Sequence, residues 1–393
     1  MRARRTTLST SLLAALVAVG AAAGAQVPAA ATERSSDLPR WATASAAADG
    51  AARTAAARKA ATARAGDDAR AAEIATVRMA GPNRYATSVA GSKALYTDEV
   101  IAQYPLDVVF VASGTNFPDA LAATSFVRPF GPLLLVPSSG TVPAVVMNEL
   151  RRLNPHDIVI VGGAGAVSNA VAAQLATLAA VGRVAGPDRY ATAADVAVIT
   201  DAGYQDPDPE VPQGVDTVYV VNGDAFPDAL AAGSATGWRR GAVVLTKAGS
   251  LPSSSADAID AIDPERVVVV GGTGSVSAGV VTTIKALVPG KEVVRRSGAD
   301  RYGTAAKVSE LEFIHPNNGI VLASGLTFPD ALSAAAFGAV VDYALLLSRP
   351  TCAPSATVAE VENYMQYISY PLEVVGFGGE AVLSEAALDV VPC

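Results

Sequence analysis

Three short blocks recur in the same order three times along the chain, and this repetition limits the fold more than any other feature. The first block reads Arg78-Met-Ala-Gly-Pro-Asn-Arg84-Tyr85-Ala-Thr87. It returns as Arg183-Val-Ala-Gly-Pro-Asp-Arg189-Tyr190-Ala-Thr192, and again as Arg295-Arg-Ser-Gly-Ala-Asp-Arg301-Tyr302-Gly-Thr304. The second is Phe117-Pro118-Asp119-Ala120-Leu121, with copies Phe226-Pro227-Asp228-Ala229-Leu230 and Phe328-Pro329-Asp330-Ala331-Leu332. The third is Gly162-Gly163-Ala-Gly-Ala-Val-Ser168, then Gly271-Gly272-Thr-Gly-Ser-Val-Ser277, and in drifted form Gly378-Gly379-Glu-Ala-Val-Leu-Ser384. The Arg-Tyr pairs are 105 and then 112 residues apart, so each unit is the size of a small domain rather than a solenoid repeat.

One secondary-structure rhythm fits every copy. In the first, a short apolar run ends at Arg78 and a helix is predicted over about Thr87 to Tyr96. Asp107 to Ala112 is β-branched and aromatic, hence a strand, and Pro118 opens a helix reaching about Phe126. Leu133 to Val136 and Ile158 to Val161 are further strands; Val142 to Leu153 and Ser168 to Leu178 are helical. Continuous apolar strands alternating with helices predict an α/β chain of three tandem small open parallel-sheet repeats with right-handed crossovers. The expected units are 74–180, 181–291 and 292–393.

The N-terminus reads as an export signal. Arg2, Arg4 and Arg5 precede a short apolar run from Leu12 to Ala23, and Ala23-Gly24-Ala25 fits a small-x-small cleavage site, with a mature start near Gln26. That run is shorter than the roughly 20 residues a membrane span needs; a retained anchor is the alternative. Residues 26–73, rich in Ala with scattered Arg and Asp, are expected to be a linker or marginal helix without a packed core. Cys352 and Cys393, an even pair in an exported chain, predict one disulfide tying the last residue into the third repeat.

Charge removes some functions. The formal net charge is −8, and loss of the three arginines within residues 1–25 makes it −11 (−8 less 3). Such a chain is a poor general binder of nucleic acid, which needs clustered Lys and Arg. Two cysteines and the separated His156 and His315 make no zinc site, and no metal or cofactor is expected. There is no Gly-x-Ser-x-Gly elbow, no His-Glu-x-x-His, no dinucleotide fingerprint and no Walker lysine.

The repeated blocks each carry two readings. Pro and Asp at the start of a predicted helix form a helix-start signal, because the helix dipole favours Asp119, Asp228 and Asp330 there. The functional reading pairs these acids with Arg84, Arg189 and Arg301 beside the crevice at the strand ends, where open α/β sheets bind ligands. Ser168, Ser277 and Ser384 read as helix caps after a tight turn. The arginine fork suits carboxylate or phosphate, and Tyr85, Tyr190 and Tyr302 offer a ring and a hydroxyl to a sugar; an internal structural role gives the same pattern.

These blocks together resemble the type-two cell wall-binding repeat, found in threes in surface proteins of Gram-positive bacteria, over nearly all of residues 74–393. The resemblance implies a parallel α/β fold per repeat, packing with pseudo-threefold symmetry, and non-covalent attachment at the cell surface to an anionic, teichoic-acid-like secondary wall polymer. In that family an Ile-Leu-Leu-like stretch is implicated in polymer binding. It matches Leu133-Leu134-Leu135, Val243-Val244-Leu245 and Leu345-Leu346-Leu347, which bottom-up are buried strands; the second copy departs as Val-Val-Leu. Lys247 and Arg349, just beyond, are better placed for direct anion contact, where the first repeat has Pro137-Ser138. Family members usually carry another working domain, for which this chain leaves no length. The expectation is a non-catalytic, secreted wall-binding protein. The alternatives are a modifier of a wall hydrolase, an amidase-type wall enzyme, or an exported receptor for a small sugar or anion.

Overall fold

The computed structural model describes residues 74–128, 130–204, 213–313, 319–368 and 371–393. The export signal, the Ala-rich segment and His315 lie outside them.

A single edge strand, β1 (Ile74–Met79), leads into the first repeat: α1 (Arg84–Leu95), α2 (Asp98–Gln103), β2 (Val108–Ser113), α3 (Phe117–Val127), β3 (Leu133–Val136), α4 (Ala144–Leu153), β4 (Asp157–Val161) and α5 (Asn169–Leu175). The second follows as β5 (Ala180–Val184), α6 (Arg189–Gly203), β6 (Thr217–Asn222), α7 (Phe226–Trp238), β7 (Gly241–Thr246), α8 (Ser253–Ile262), β8 (Arg266–Val270) and α9 (Ala278–Leu287). The third is β9 (Glu292–Arg296), α10 (Arg301–Glu312), β10 (Gly319–Ser324), α11 (Pro329–Val341), β11 (Ala344–Ser348), α12 (Ser355–Met365), β12 (Leu372–Phe377) and α13 (Glu385–Leu388). The expected strands and helices of the first copy are all present, with Leu133–Val136 as expected and the other ends within three residues. The short α2 is an addition.

The chain forms three open four-stranded parallel sheets, ordered β3-β2-β4-β5, β7-β6-β8-β9 and β11-β10-β12-β1. The last strand of each sheet comes from the next sequence block. β5, which opens the second block, pairs with β4 in the first sheet, and β9 pairs with β8 in the second. The third sheet is completed by β1 from the start of the described chain, in register from Ile74↔Leu372 to Met79↔Phe377. The helix after each such strand crosses over to its own repeat: α6 packs on β7 and α10 on β11. Each strand–helix pair therefore stitches two repeats together, and β1 closes the ring.

The centre of the ring is made by α3, α7 and α11, which pack pairwise. Their sequences are dense in Ala, Gly and Ser and buried nearly all round, as a helix with no solvent face must be. Small residues set the spacing: a Cβ on Gly237 would run into the backbone of Ala339. Each central helix also covers the next repeat, α3 against α6 and β7, α7 against α10 and β11, α11 against α1 and β3. At their amino ends Phe117, Phe226 and Phe328 form a triangle with ring centroids 5.7–6.0 Å apart, which marks the pseudo-threefold axis. At their carboxyl ends Arg128 donates to Gly237 O and pairs with Asp342 at 2.8 Å, placing a cation where two helix dipoles are negative.

The disulfide Cys352–Cys393 is formed, closing 41 residues, and the bridge Ala353↔Pro392 runs beside it. Among the described residues no helix is long and apolar enough to cross a membrane.

Candidate functional site at the carboxyl ends of the strands

Parallel strands send all their carboxyl ends to one edge, so four loops meet there in every repeat. In each sheet the chain order reverses between the second and third strands in space, β2 and β4 in the first repeat. Such a switch point opens a crevice in α/β sheets. Asp119, in the first turn of α3 just after β2, projects into that crevice against Gly162, from the turn after β4; Asp228 meets Gly271 and Asp330 meets Gly378 in the same way. All three glycines have φ between 108° and 120°, a region side chains rarely adopt, and a Cβ there would strike the neighbouring carboxylate or turn side chain. The first glycine of the third block thus makes room for the aspartate of the second.

The first arginine of each block locks this turn from the neighbouring repeat. Arg183 donates to Gly162 O and, at 2.9 Å, to Val167 O. Arg295 repeats the pattern on Gly271 O (2.5 Å) and Val276 O (2.7 Å). Arg78 closes the cycle on Gly378 O (2.8 Å) and Leu383 O (2.6 Å), adding an ion pair with Glu385. The serines after these turns cap helices as expected: Ser168 accepts from Val171 N, Ser277 from Val280 N and Ser384 from Ala387 N. Their own N–H groups reach the loop after the edge strand, at Ser138 O, Ala248 O and Pro350 O.

The second arginine of each block stays within its own repeat. Arg84, Arg189 and Arg301 each donate at 2.6 Å to the carbonyl of Gly114, Gly223 or Gly325. Among the described residues none of them forms an ion pair with Asp119, Asp228 or Asp330. Asp119 and Asp330 feel the next repeat's arginines through the field instead. Burial pushes the Asp119 carboxyl up to about 6, against the pull of Arg189 and Arg183. Burial also raises Asp330, opposed by a hydrogen bond from Thr87 and by Arg84. The first crevice and the one at the ring closure therefore join an acid of one repeat to guanidinium groups of the next.

The tyrosines pack edge-on over the Ser-Gly or Asn-Gly turn; a Cβ on Gly114, Gly223 or Gly325 would lie 2.7–2.9 Å from the ring of Tyr85, Tyr190 or Tyr302. Tyr190 and Tyr302 are only 6% exposed, so neither ring is an open platform for a sugar. Leu133, Leu134, Leu135, Val243, Val244, Leu245, Leu345, Leu346 and Leu347 are buried in the edge strands β3, β7 and β11. Their contribution is to hold the loops that follow them. Those loops expose Lys247 and Arg349. Lys247 Nζ lies 5.6 Å from the centroid of Tyr190.

Sequence reasoning singled out Arg84, Arg189 and Arg301 but not Arg78, Arg183 and Arg295, which recur just as regularly in the same block. It also passed over Asp224, whose carboxylate accepts from Tyr190 Oη at 2.9 Å and lies 3.4 Å from Arg189. Among the described residues no cluster of His, Cys, Asp and Glu is arranged to hold a metal.

Residues 78–172, 183–281 and 295–388 match the family model described as cell wall binding domain 2, three times over. The chain is 27% identical over 278 residues to N-acetylmuramoyl-L-alanine amidase LytC of Bacillus subtilis, covering 70% of this chain and 51% of that protein. It is 24% identical over 292 residues to the amidase enhancer of the same organism, covering 74% of this chain and 37% of that one. The chain thus spans about half or less of the length of these relatives. Among solved structures, Cwp6 from Clostridium difficile superposes with a TM-score of 0.68 at 23% identity, over 81% of this chain and 48% of that one. Cwp8 gives 0.67 at 22%, over 80% and 50%. Both likenesses show the fold.

Proposed function

The chain belongs to the cell wall binding domain 2 family, and from that premise we propose that it is a non-catalytic wall-attachment protein whose three crevices hold an anionic wall polymer. Cell wall binding through the three repeats comes with the family. The finer reading rests on one observation: the same crevice, walled by guanidinium groups and backbone turns from two repeats, recurs around the ring. Three similarly built sites on one ring suit a repeating chain better than a single small ligand, because linked sites raise the effective concentration of each other. Against a background charge of −8, local arginines and lysines are the means by which this surface attracts a polyanion.

Catalysis finds little support in the crevice. Each holds one repeated acid, and hydrolysis by paired carboxylates needs two at a defined separation. The relatives' names connect such repeats with wall hydrolysis, so the working context is a wall undergoing cleavage, with a hydrolase as a candidate partner.

The test is sedimentation of the purified chain with cell walls before and after chemical removal of the anionic secondary polymer. Pelleting that disappears with the polymer is the expected result. Failure to pellet with intact walls would remove the attachment reading and bring the receptor and enzyme readings forward.

A further inference from the structure

The three crevices are built alike but are not chemically alike, and the difference sits on the lip formed by the loops after the two outermost strands. The strand ladders make the positions equivalent. Gly114 N donates to Val136 O, Gly223 N to Thr246 O and Gly325 N to Ser348 O, all at 2.8–2.9 Å. Two positions on each lip follow from that register: the residue after the glycine and the residue after the edge strand. They are Thr115 and Pro137 with Ser138 in the first repeat, Asp224 and Lys247 in the second, and Leu326 and Arg349 in the third.

In the first repeat the lip carries no added cation, and Thr115, Ser113 and Ser138 bond to one another. In the second, Lys247 brings a charge, but Asp224 cancels it: the carboxylate takes the Tyr190 hydroxyl and the Arg189 guanidinium, and the ammonium lies over the Tyr190 ring. In the third, Leu326 replaces the acid and is 54% exposed. Among the described residues neither Arg301 nor Arg349 has a carboxylate within ion-pair distance. The loop that carries Arg349 is also braced. Arg349 N donates to Cys352 O at 3.2 Å, Ser348 Oγ donates to the same carbonyl at 3.0 Å, and Cys352 is tied to Cys393.

Resting on the attachment reading above, we propose that the third repeat's lip, Arg301, Arg349 and Leu326, is the principal polyanion site of the ring, and that the second is self-neutralised by Asp224. Two arginines beside an exposed aliphatic side chain suit a phosphodiester-linked polyol or sugar chain. The guanidinium groups take the phosphate, bidentate where geometry allows, and Leu326 covers the carbon face between phosphates.

The test uses the whole chain and a synthetic glycerol phosphate oligomer, titrated calorimetrically at low salt, beside wall sedimentation. Arg349→Ser, which removes a charge the first repeat's lip lacks, and Leu326→Asp, which imports the second repeat's acid, each weaken oligomer binding about three- to tenfold. Lys247→Ser changes it less than about twofold, and Asp224→Leu strengthens it. All four positions are on the surface loops, and unchanged circular dichroism keeps the comparison on binding. Equal losses from Lys247→Ser and Arg349→Ser, or no loss from Leu326→Asp, overturn the assignment. A wild-type chain that pellets with walls but ignores the oligomer overturns the phosphodiester ligand while the attachment reading stands. A chain that does neither fails at the attachment reading itself.

Discussion

Arg183 and Val167 belong to different sequence repeats, yet the guanidinium of one donates to the carbonyl of the other at 2.9 Å. The same group also holds Gly162 O, so one side chain fixes both ends of the turn that faces Asp119. Arg183→Ala leaves these carbonyls unmatched at a partly buried interface and is expected to destabilise the ring by about 2–4 kcal/mol. Arg78→Ala does the same at the closure, where β1 meets β12. Hydrogen exchange reads the difference: Arg78→Ala speeds exchange in β12 while β4 stays protected. Equal protection of β12 in wild type and variant would show that the clamp does not hold the closure.

A buried acid gives the third repeat its own pH response. In the first repeat Glu149 is held by Ser92 at 2.7 Å and by Arg152 at 2.7 and 2.9 Å. The corresponding Glu360 meets Ser309 and Asn363, and Asn363 stands where Arg152 stands. Without the cation, burial pushes Glu360 up to about 7, the Ser309 and Asn363 hydrogen bonds opposing. A raised carboxyl means that the folded chain holds a proton the unfolded chain has released. Stability from this group is therefore fully present below about pH 4.5 and is lost as pH rises from there through 7, by on the order of 3 kcal/mol. Urea titrations of wild type and Glu360→Gln across this window should differ by that slope. Asn363→Arg should remove it as well, and parallel curves for all three would refute the assignment.

One cap is missing at the closure. Ser125 Oγ accepts from Val243 N, and Ser234 Oγ accepts from Leu345 N, both at 3.0 Å, so α3 and α7 each cap the first residue of the next edge-strand triplet. The third helix offers Ala336 to Leu133, and a cavity of about 20 Å³ lies there, lined by both residues with Ser333 and Phe337. That volume is about enough for one water-sized probe. Ala336→Ser is expected to raise stability by about 0.5–1.5 kcal/mol, and Ser125→Ala to lower it by about 1–3 kcal/mol. Thermal melts of the two variants would reveal a lower melting temperature for Ala336→Ser if the site is too tight.

The Cys352–Cys393 bridge closes 41 residues. Loop-closure entropy alone gives it about 4 kcal/mol. Denaturation with and without reductant should show a loss of that order. Matching midpoints would mean that packing of the last turn already holds the C-terminus.

Much of this architecture is visible in the sequence because each element carries its own signal. Leu133–Val136 is an uninterrupted apolar run, Pro118 and its equivalents open helices, and Ser168, Ser277 and Ser384 cap them. The partners of β1, β5 and β9 carry no local signal. Their strands look the same whether they pair within a block or across it, and β1 finds β12 about 300 residues away. The convergence of Phe117, Phe226 and Phe328 is likewise a property of the ring. The crevice was legible in part: the repeated Asp and Arg belong to it, but the reading that joined them as ion pairs gives way to arginine–carbonyl clamps. The burial of Tyr190 and Tyr302 against Gly223 and Gly325 follows only from the turn geometry.

The central claim is that a polyanion, rather than the glycan–peptide mesh, is what the ring holds. The most direct measurement compares equilibrium binding of the purified chain to the isolated secondary polymer and to peptidoglycan stripped of it. The account predicts saturable, salt-sensitive binding to the polymer and none to the stripped mesh. Equal binding to both, insensitive to salt, would contradict it.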